Sequence, residues 1–210
     1  MSIIDKILIE RRSIRKYQTE APPEAYLEQM LSLAVTTPSS SNRQPVRFMQ
    51  IASPDIKTSL QKAMEAGHER FLQMAATAEN PKNLRNWINT YYRYSSFMFS
   101  APWLLAIGTI AAPAGFTRIL AEAGAATSDN RWETDADIAL GLALQAVILK
   151  GQELGIASCV LTAPLAFIAG VESILHVEDV KIKCFLTLGF ADEKPPAPPK
   201  KDLPQLYRVL

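Results

Sequence analysis

"WETDADIALGLALQAVILKGQEL", residues 132–154, carries the longest helical pattern in the chain. Acids crowd its first turn, Lys150 sits near its end, and Gly155 follows where a helix stops in left-handed backbone. Between those ends, "IALGLALQAVIL" (138–149) is apolar on almost every side, so the helix has to be covered all round, inside a large domain or against a second subunit. It falls well short of the roughly 20 residues that cross a bilayer. Glu133, Asp135 and Asp137 read as partners of the helix dipole rather than as a catalytic group of carboxylates.

Working outward, "ASCVLTA" (157–163) has the composition of a strand, a helix is expected from about Pro164 to Leu175, and "KIKCFLTLGF" (181–190) reads as a further strand. Upstream, "WLLAIGTI" (103–110) is a continuous apolar run of strand length and belongs in the middle of a sheet. Residues 111–130 have weak periodicity and are expected to form a lid or short helix. "VRFMQIA" (46–52) alternates as a half-buried strand, a helix is expected from Ser53-Pro54 to about Ala66, and residues 68–100 are aromatic, amphipathic and mostly helical. "PPEAYLEQMLSLAVTTP" (22–38) forms a helix with prolines at its opening, and the start, with Ile3, Ile4, Ile7 and Leu8, forms a short amphipathic helix capped by Ser2.

The tail from about 191 to 210 cannot continue a helix or a central strand through its prolines and reads as an extended arm. It ends in Leu203, Leu206, Tyr207, Val209 and Leu210, and so is expected to dock. Together these elements predict a single α+β domain over residues 1–210.

The 22 basic side chains nearly cancel the 21 acidic ones, leaving a net charge of +1, which argues against a nucleic-acid groove or a membrane-surface role. Cys159 and Cys184 lie far apart and read as buried thiols; with only His68 and His176 to assist, no metal site is expected. The start lacks the pattern of a secretory signal, and a cytoplasmic location is the default expectation.

Against this neutral background, "RRSIRKY" (11–17) concentrates Arg11, Arg12 and Arg15 around Ser13. Guanidinium suits phosphate, because its planar fork donates paired hydrogen bonds and stays charged; a hydroxyl and nearby backbone amides would complete a monophosphate cradle. "PSSSNRQP" (38–45) sets hydroxyls beside amides that can both donate and accept, as a heterocycle edge or polyol requires. "LGIASCVLTAP" (154–164) is an apolar turn whose polar side chains are Ser158, Cys159 and Thr162, and "PPKKDLP" (198–204) places two lysines on the proline arm. Each piece alone reads as an ordinary turn.

Taken in order, the four pieces resemble the nitroreductase family of flavin enzymes. The resemblance implies a central, mainly antiparallel sheet flanked by helices, in an intertwined homodimer with an extended C-terminal arm. It implies FMN at the subunit interface: Arg11, Ser13 and Arg15 on its phosphate, Lys200 or Lys201 closing from the arm, and Pro38, Ser39 and Ser40 supplied by the partner subunit. Asn42 and Gln44 would meet the ring edge or ribityl chain, Arg12 the N1–C2=O side, and a backbone N–H of the Thr162-Ala163 turn flavin N5. NADH or NADPH would deliver hydride, and a nitroaromatic, quinone or similar small acceptor would take it in the same slot, a ping-pong sequence carried by the flavin rather than by a catalytic side chain.

The chain departs from the family pattern at three places. Val46-Arg47-Phe48 follows the "QP" where many members carry Trp, Thr162-Ala163 lacks the acid that many members hold in that turn, and lysine replaces the usual arginine of the tail. Enoyl reduction, dehalogenation and flavin fragmentation occur on the same fold, and a non-catalytic FMN-binding dimer is the alternative from another class.

Overall fold

The computed structural model describes residues 1–110, 119–120, 122–125 and 131–210; most of the lid expected over 111–130 lies outside them. Within the described residues, β1 (Val46–Gln50), β2 (Trp103–Ile110), β3 (Ala157–Leu161) and β4 (Val180–Gly189) form a sheet in the order β1-β2-β4-β3, with every pairing antiparallel. The apolar run of β2 sits inside the sheet, as its composition requires. Its alternate residues feed two cores, Leu104 and Ala106 on one face and Trp103, Leu105 and Ile107 on the other.

Helices cover both faces. Outside the sheet lie α1 (Ile3–Glu10), α2 (Glu24–Val35), α3 (Pro54–Ala76), α4 (Pro81–Ser96), α5 (Arg131–Glu153), α6 (Pro164–Phe167) and α7 (Val171–Leu175). From α2 and α5, Leu27, Met30, Leu140, Leu144 and Val147 pack on Trp103, Leu105, Cys184 and Leu186. On the opposite face, Leu60 and Met64 of α3, Phe167 and Val171 pack on Leu104, Cys159 and Phe185, with Ile88 and Tyr92 of α4 behind them.

The chain ends its helices by the chemistry expected. Ser2 and Asp5 exchange side-chain and backbone bonds at the start of α1, with Asp5 N–H donating to Ser2 Oγ (3.2 Å) and Ser2 N–H to Asp5 Oδ2 (2.8 Å). At the end of α5, Gly155 adopts φ +77°, while its N–H and that of Ile156 donate back to Gln152 and Gly151 (3.2 and 2.7 Å).

Two expected boundaries move. The helix expected to end near Ala66 runs on to Ala76, because Gly67 lets α3 approach the turn after β3: a Cβ there would come within 1.9 Å of the Phe167 carbonyl oxygen. The helix expected over 164–175 is two short ones, split where Ile168 turns extended and Gly170 takes φ +66°.

Between Ile107 and Gly108 the register with β4 shifts by one, so that Lys183 has no opposite residue. Lys183 reaches Asp137 (2.9 Å), and Lys181 pairs with Glu133. Two of the three acids that open α5, Glu133 and Asp137, are therefore bound to β4.

Three apolar surfaces lie open on the single chain. Ile138 and Leu142 of α5 are 58% and 42% exposed, and Leu203, Leu206, Tyr207, Val209 and Leu210 of the arm are exposed throughout. The exposed face of α1 adds Ile3, Ile4, Leu8 and Ile9. Both cysteines are buried and free, and burial pushes the Cys184 thiol up to about 12. Among the described residues, no helix is long and apolar enough to cross a membrane.

Candidate functional site

The RRSIRKY segment meets the sheet at two isolated bridges, one on the free edge of β3 and one just past the end of β4. Ser13 pairs with Ser158 in parallel fashion, Ile14 N–H donates to the Ser158 carbonyl (3.0 Å), and Tyr17 pairs with Ala191 at the end of β4. Tyr17 Oη bridges inward, donating to the Ile14 carbonyl (2.7 Å) and lying 2.8 Å from Thr187 Oγ1; burial raises the phenol above its ordinary range. This anchoring leaves Arg11, Ser13 and Arg15 to gather at the edge. Burial also pushes the Cys159 thiol of β3 up, and Arg15, Ser13 and Arg11 pull against it.

These side chains open onto a cavity of about 540 Å³, lined by Arg11, Arg12, Ser13 and Arg15 from one side and by Pro195–Pro198 and Lys200 of the arm from the other. Of the two lysines of the arm, Lys200 lines this cavity. Among the described residues Arg11, Arg15 and Lys200 form no ion pair, and no carboxylate lines the cavity. The guanidinium of Arg15 lies over the ring of Tyr94 on α4, 5.6 Å from its centre. Arg12 turns back to cap α1, its Nη1 donating to the Ile9 and Arg11 carbonyls (2.6 and 2.8 Å), and its buried Nε has no partner. An anionic ligand with further acceptor atoms fits this set: three unpaired cations, a hydroxyl and an orphaned donor.

Three of the nearby backbone amides that the sequence offers to the cradle are committed elsewhere. Ile14 N–H is committed to Ser158, and the N–H groups of Arg15 and Lys16 donate to Glu193 Oε1 (2.5 and 3.2 Å).

Thr162 and Ala163, at the other end of β3, face a second cavity of about 600 Å³. Its walls are Phe71 and Met74 of α3, Leu84, Trp87, Ile88 and Tyr91 of α4, and Ala166 and Phe167. His68 buttresses it, stacking on Tyr92 with ring centres 4.0 Å apart and meeting Asn89 Oδ1 at 2.8 Å through Nε2. Among the described residues, no charged side chain lines this cavity. The sequence gives no motif for it, because its walls come from residues 71–91 and 162–167 and meet only in the fold.

The serine loop lies apart from both within one chain. Pro38, Ser39 and Gln44 border a cavity of about 400 Å³ beside Ala139 and Ala143 of α5, and Pro38, Ser39 and Ser40 border a smaller one with Ile138 and Leu142. Its backbone is unusual: Ser41, Asn42 and Gln44 all take φ near +50° without being glycine. Left-handed backbone costs a serine or glutamine on the order of 1–3 kcal/mol and concentrates at ligand clamps. Local bonds hold it in place. Gln44 N–H donates to Ser39 Oγ (2.9 Å), and its side-chain amide donates to the Val35 carbonyl at the end of α2 (3.0 Å).

The Nitroreductase family profile matches residues 8–190, from the helix before the cradle to the end of β4. The chain belongs to the nitroreductase family. A relative within reach of this member is the iodotyrosine dehalogenase 1 homolog of Caenorhabditis elegans, 29% identical over 196 residues, or 92% of this chain; the chain spans 56% of that protein's length. Among solved structures, the BluB-like flavoprotein of Clostridium difficile 630 superimposes with a TM-score of 0.83 at 20% identity, over 100% of this chain and 99% of the other. A nitroreductase with bound FMN from Desulfitobacterium hafniense DCB-2 does so with a TM-score of 0.71 at 20% identity, over 100% of both chains. These structural likenesses are likenesses of fold.

Proposed function

We propose that this nitroreductase-family chain is an FMN-dependent oxidoreductase that takes hydride from NADH or NADPH and passes it to an uncharged, flat, apolar acceptor of the nitroaromatic or quinone kind. The observation that carries it is the cradle: Arg11, Ser13, Arg15 and Lys200 converge on one cavity with no acid among the described residues of its walls. When bound, FMN supplies hydride acceptance and donation at its N5.

The chain's residues bind and orient. Arg11, Ser13, Arg15 and Lys200 hold the phosphate, and the orphaned Nε of Arg12 takes an acceptor atom of the same ligand. The Thr162-Ala163 turn presents backbone N–H to flavin N5, and the aromatic walls of the second cavity exclude water from the acceptor. In this reading a second copy covers Ile138, Leu142 and the arm, and its Pro38, Ser39, Ser40, Asn42 and Gln44 complete the site from across the interface. The left-handed backbone of that loop supports a clamping role.

The dehalogenase-like relative favours a second reading, reductive dehalogenation of a halotyrosine. The described walls of the second cavity weigh against it, because an amino-acid zwitterion needs charged partners and none stands among the described residues that line that space. The purified protein, incubated with FMN, desalted and then given NADH or NADPH without oxygen, is expected to keep a flavin spectrum and lose it to one nucleotide. Reoxidation by a quinone and not by 3-iodotyrosine would follow; retained flavin that neither nucleotide reduces would contradict the oxidoreductase reading.

A further inference from the structure

We propose that Glu193 is a latch that positions the basic arm over the phosphate cradle, an inference that rests on the FMN reading of that cradle. A carboxylate beside an anion site is unfavourable by charge alone, yet Glu193 stands where strand β4 ends and the arm begins, against the very segment that carries the arginines. Its Oε1 accepts from both Arg15 N–H (2.5 Å) and Lys16 N–H (3.2 Å), groups 178 and 177 residues away in sequence. Ladder bonds on either side hold the same crossing: Gln18 N–H donates to the Phe190 carbonyl and Asp192 N–H to the Lys16 carbonyl, both at 2.9 Å. The side-chain amide of Gln18 adds a bond to the Ala191 carbonyl (3.1 Å).

The consequence lies at Lys200, seven positions further on. Pro195, Pro196, Pro198 and Pro199 intervene, and a proline-rich segment extends by roughly 3.1 Å per residue with little freedom to bend. Fixing the arm at Glu193 therefore fixes where the Lys200 ammonium arrives in the cavity. Glu193 also takes up the backbone donors of Arg15 and Lys16, so those two amides are not offered to the anion. Its own charge opposes a phosphate, while its latch favours one, so the two roles predict opposite signs on removal.

FMN affinity, measured by quenching of flavin fluorescence, separates them. Glu193→Ala is expected to bind FMN about tenfold more weakly than the unaltered chain, a fraction of what two hydrogen bonds to a carboxylate are worth, because the lost latch reaches the ligand only through the arm. Glu193→Gln keeps an acceptor oxygen of the same reach and is expected to stay within about twofold. Glu193→Asp keeps the charge but shortens the reach, and is expected to weaken binding as the alanine does, which serves if the alanine variant fails to fold. Because Glu193 acts through the arm, Lys200→Ala should cost affinity in the unaltered chain and little more in the Glu193→Ala background. Equal or tighter FMN binding by folded Glu193→Ala or Glu193→Asp, or full additivity with Lys200→Ala, would overturn the latch and leave the cofactor reading intact. No FMN binding by the unaltered chain would overturn both.

Discussion

The two cavities at the ends of β3 differ in nearly every physical respect. The one beside the RRSIRKY segment, about 540 Å³, is ringed by three unpaired cations, and a strand and an arm held together by backbone bonds build it. The one beside Thr162-Ala163, about 600 Å³, has a wall of aromatic and aliphatic side chains, and the packing of α3 and α4 on a turn builds it. The first can recognise a ligand by charge and direction, and the second only by shape and desolvation. A ligand with a phosphate at one end and a flat apolar ring at the other suits a strand that separates such cavities. On the proposed function, the contrast also divides the labour of specificity, with cofactor identity read at the cradle and acceptor identity at the apolar wall.

The sharpest way to break this division is to discharge the cradle. Arg11→Ala with Arg15→Ala removes two charged donors, each worth about 1.5–3 kcal/mol, so FMN affinity is expected to fall by on the order of a hundredfold or more. Equilibrium titration with FMN checks this, and the apolar wall should be unaffected, with an unchanged thermal unfolding midpoint.

Gly67→Ala attacks the other side. Its added Cβ would meet backbone at the Phe167 carbonyl and must wedge α3 away from the turn. The expected cost is about 1–3 kcal/mol of stability, read by urea unfolding, with acceptor turnover impaired and FMN affinity retained. FMN loss as severe as the acceptor defect would show that the cavities are not separable.

The smallest effect tests where they touch. Tyr94 lies on α4, the helix that also supplies Trp87 and Tyr91 to the apolar wall, and its ring carries the Arg15 guanidinium. Tyr94→Ala is expected to weaken FMN binding about two- to fivefold, the scale of an exposed cation–π contact. Tyr94→Phe, which keeps the ring, should bind FMN as the unaltered chain does.

The cradle and the apolar wall also differ in how far they could be read from the sequence. Arg11, Ser13 and Arg15 stand within five positions, so their convergence is a property of a short segment. The β2 strand was legible because a run buried on both faces has to be apolar throughout, and α5 because its acids, Lys150 and Gly155 mark both ends. The extension of α3 was not, since Gly67 resembles a helix end until the approach of Phe167 explains the missing side chain.

Nothing in "PPKKDLP" distinguishes Lys200 from Lys201; the choice follows from how the arm lies on the cradle. Glu193 carries no motif either, because its partners are backbone amides nearly the whole chain away. The left-handed backbone at Ser41 and Gln44 has no glycine to announce it.

The central claim is that the cationic cavity holds the phosphate of FMN, and a comparison of FMN with riboflavin tests it most directly, since the two ligands differ only in that group. Dissociation constants for both should be measured on the unaltered chain and on the Arg11→Ala, Arg15→Ala double variant. The account predicts that the unaltered chain prefers FMN by on the order of a hundredfold or more and that the double variant loses most of that preference while binding riboflavin as before. Equal affinity of the unaltered chain for the two flavins, or a preference that survives both substitutions, would contradict it.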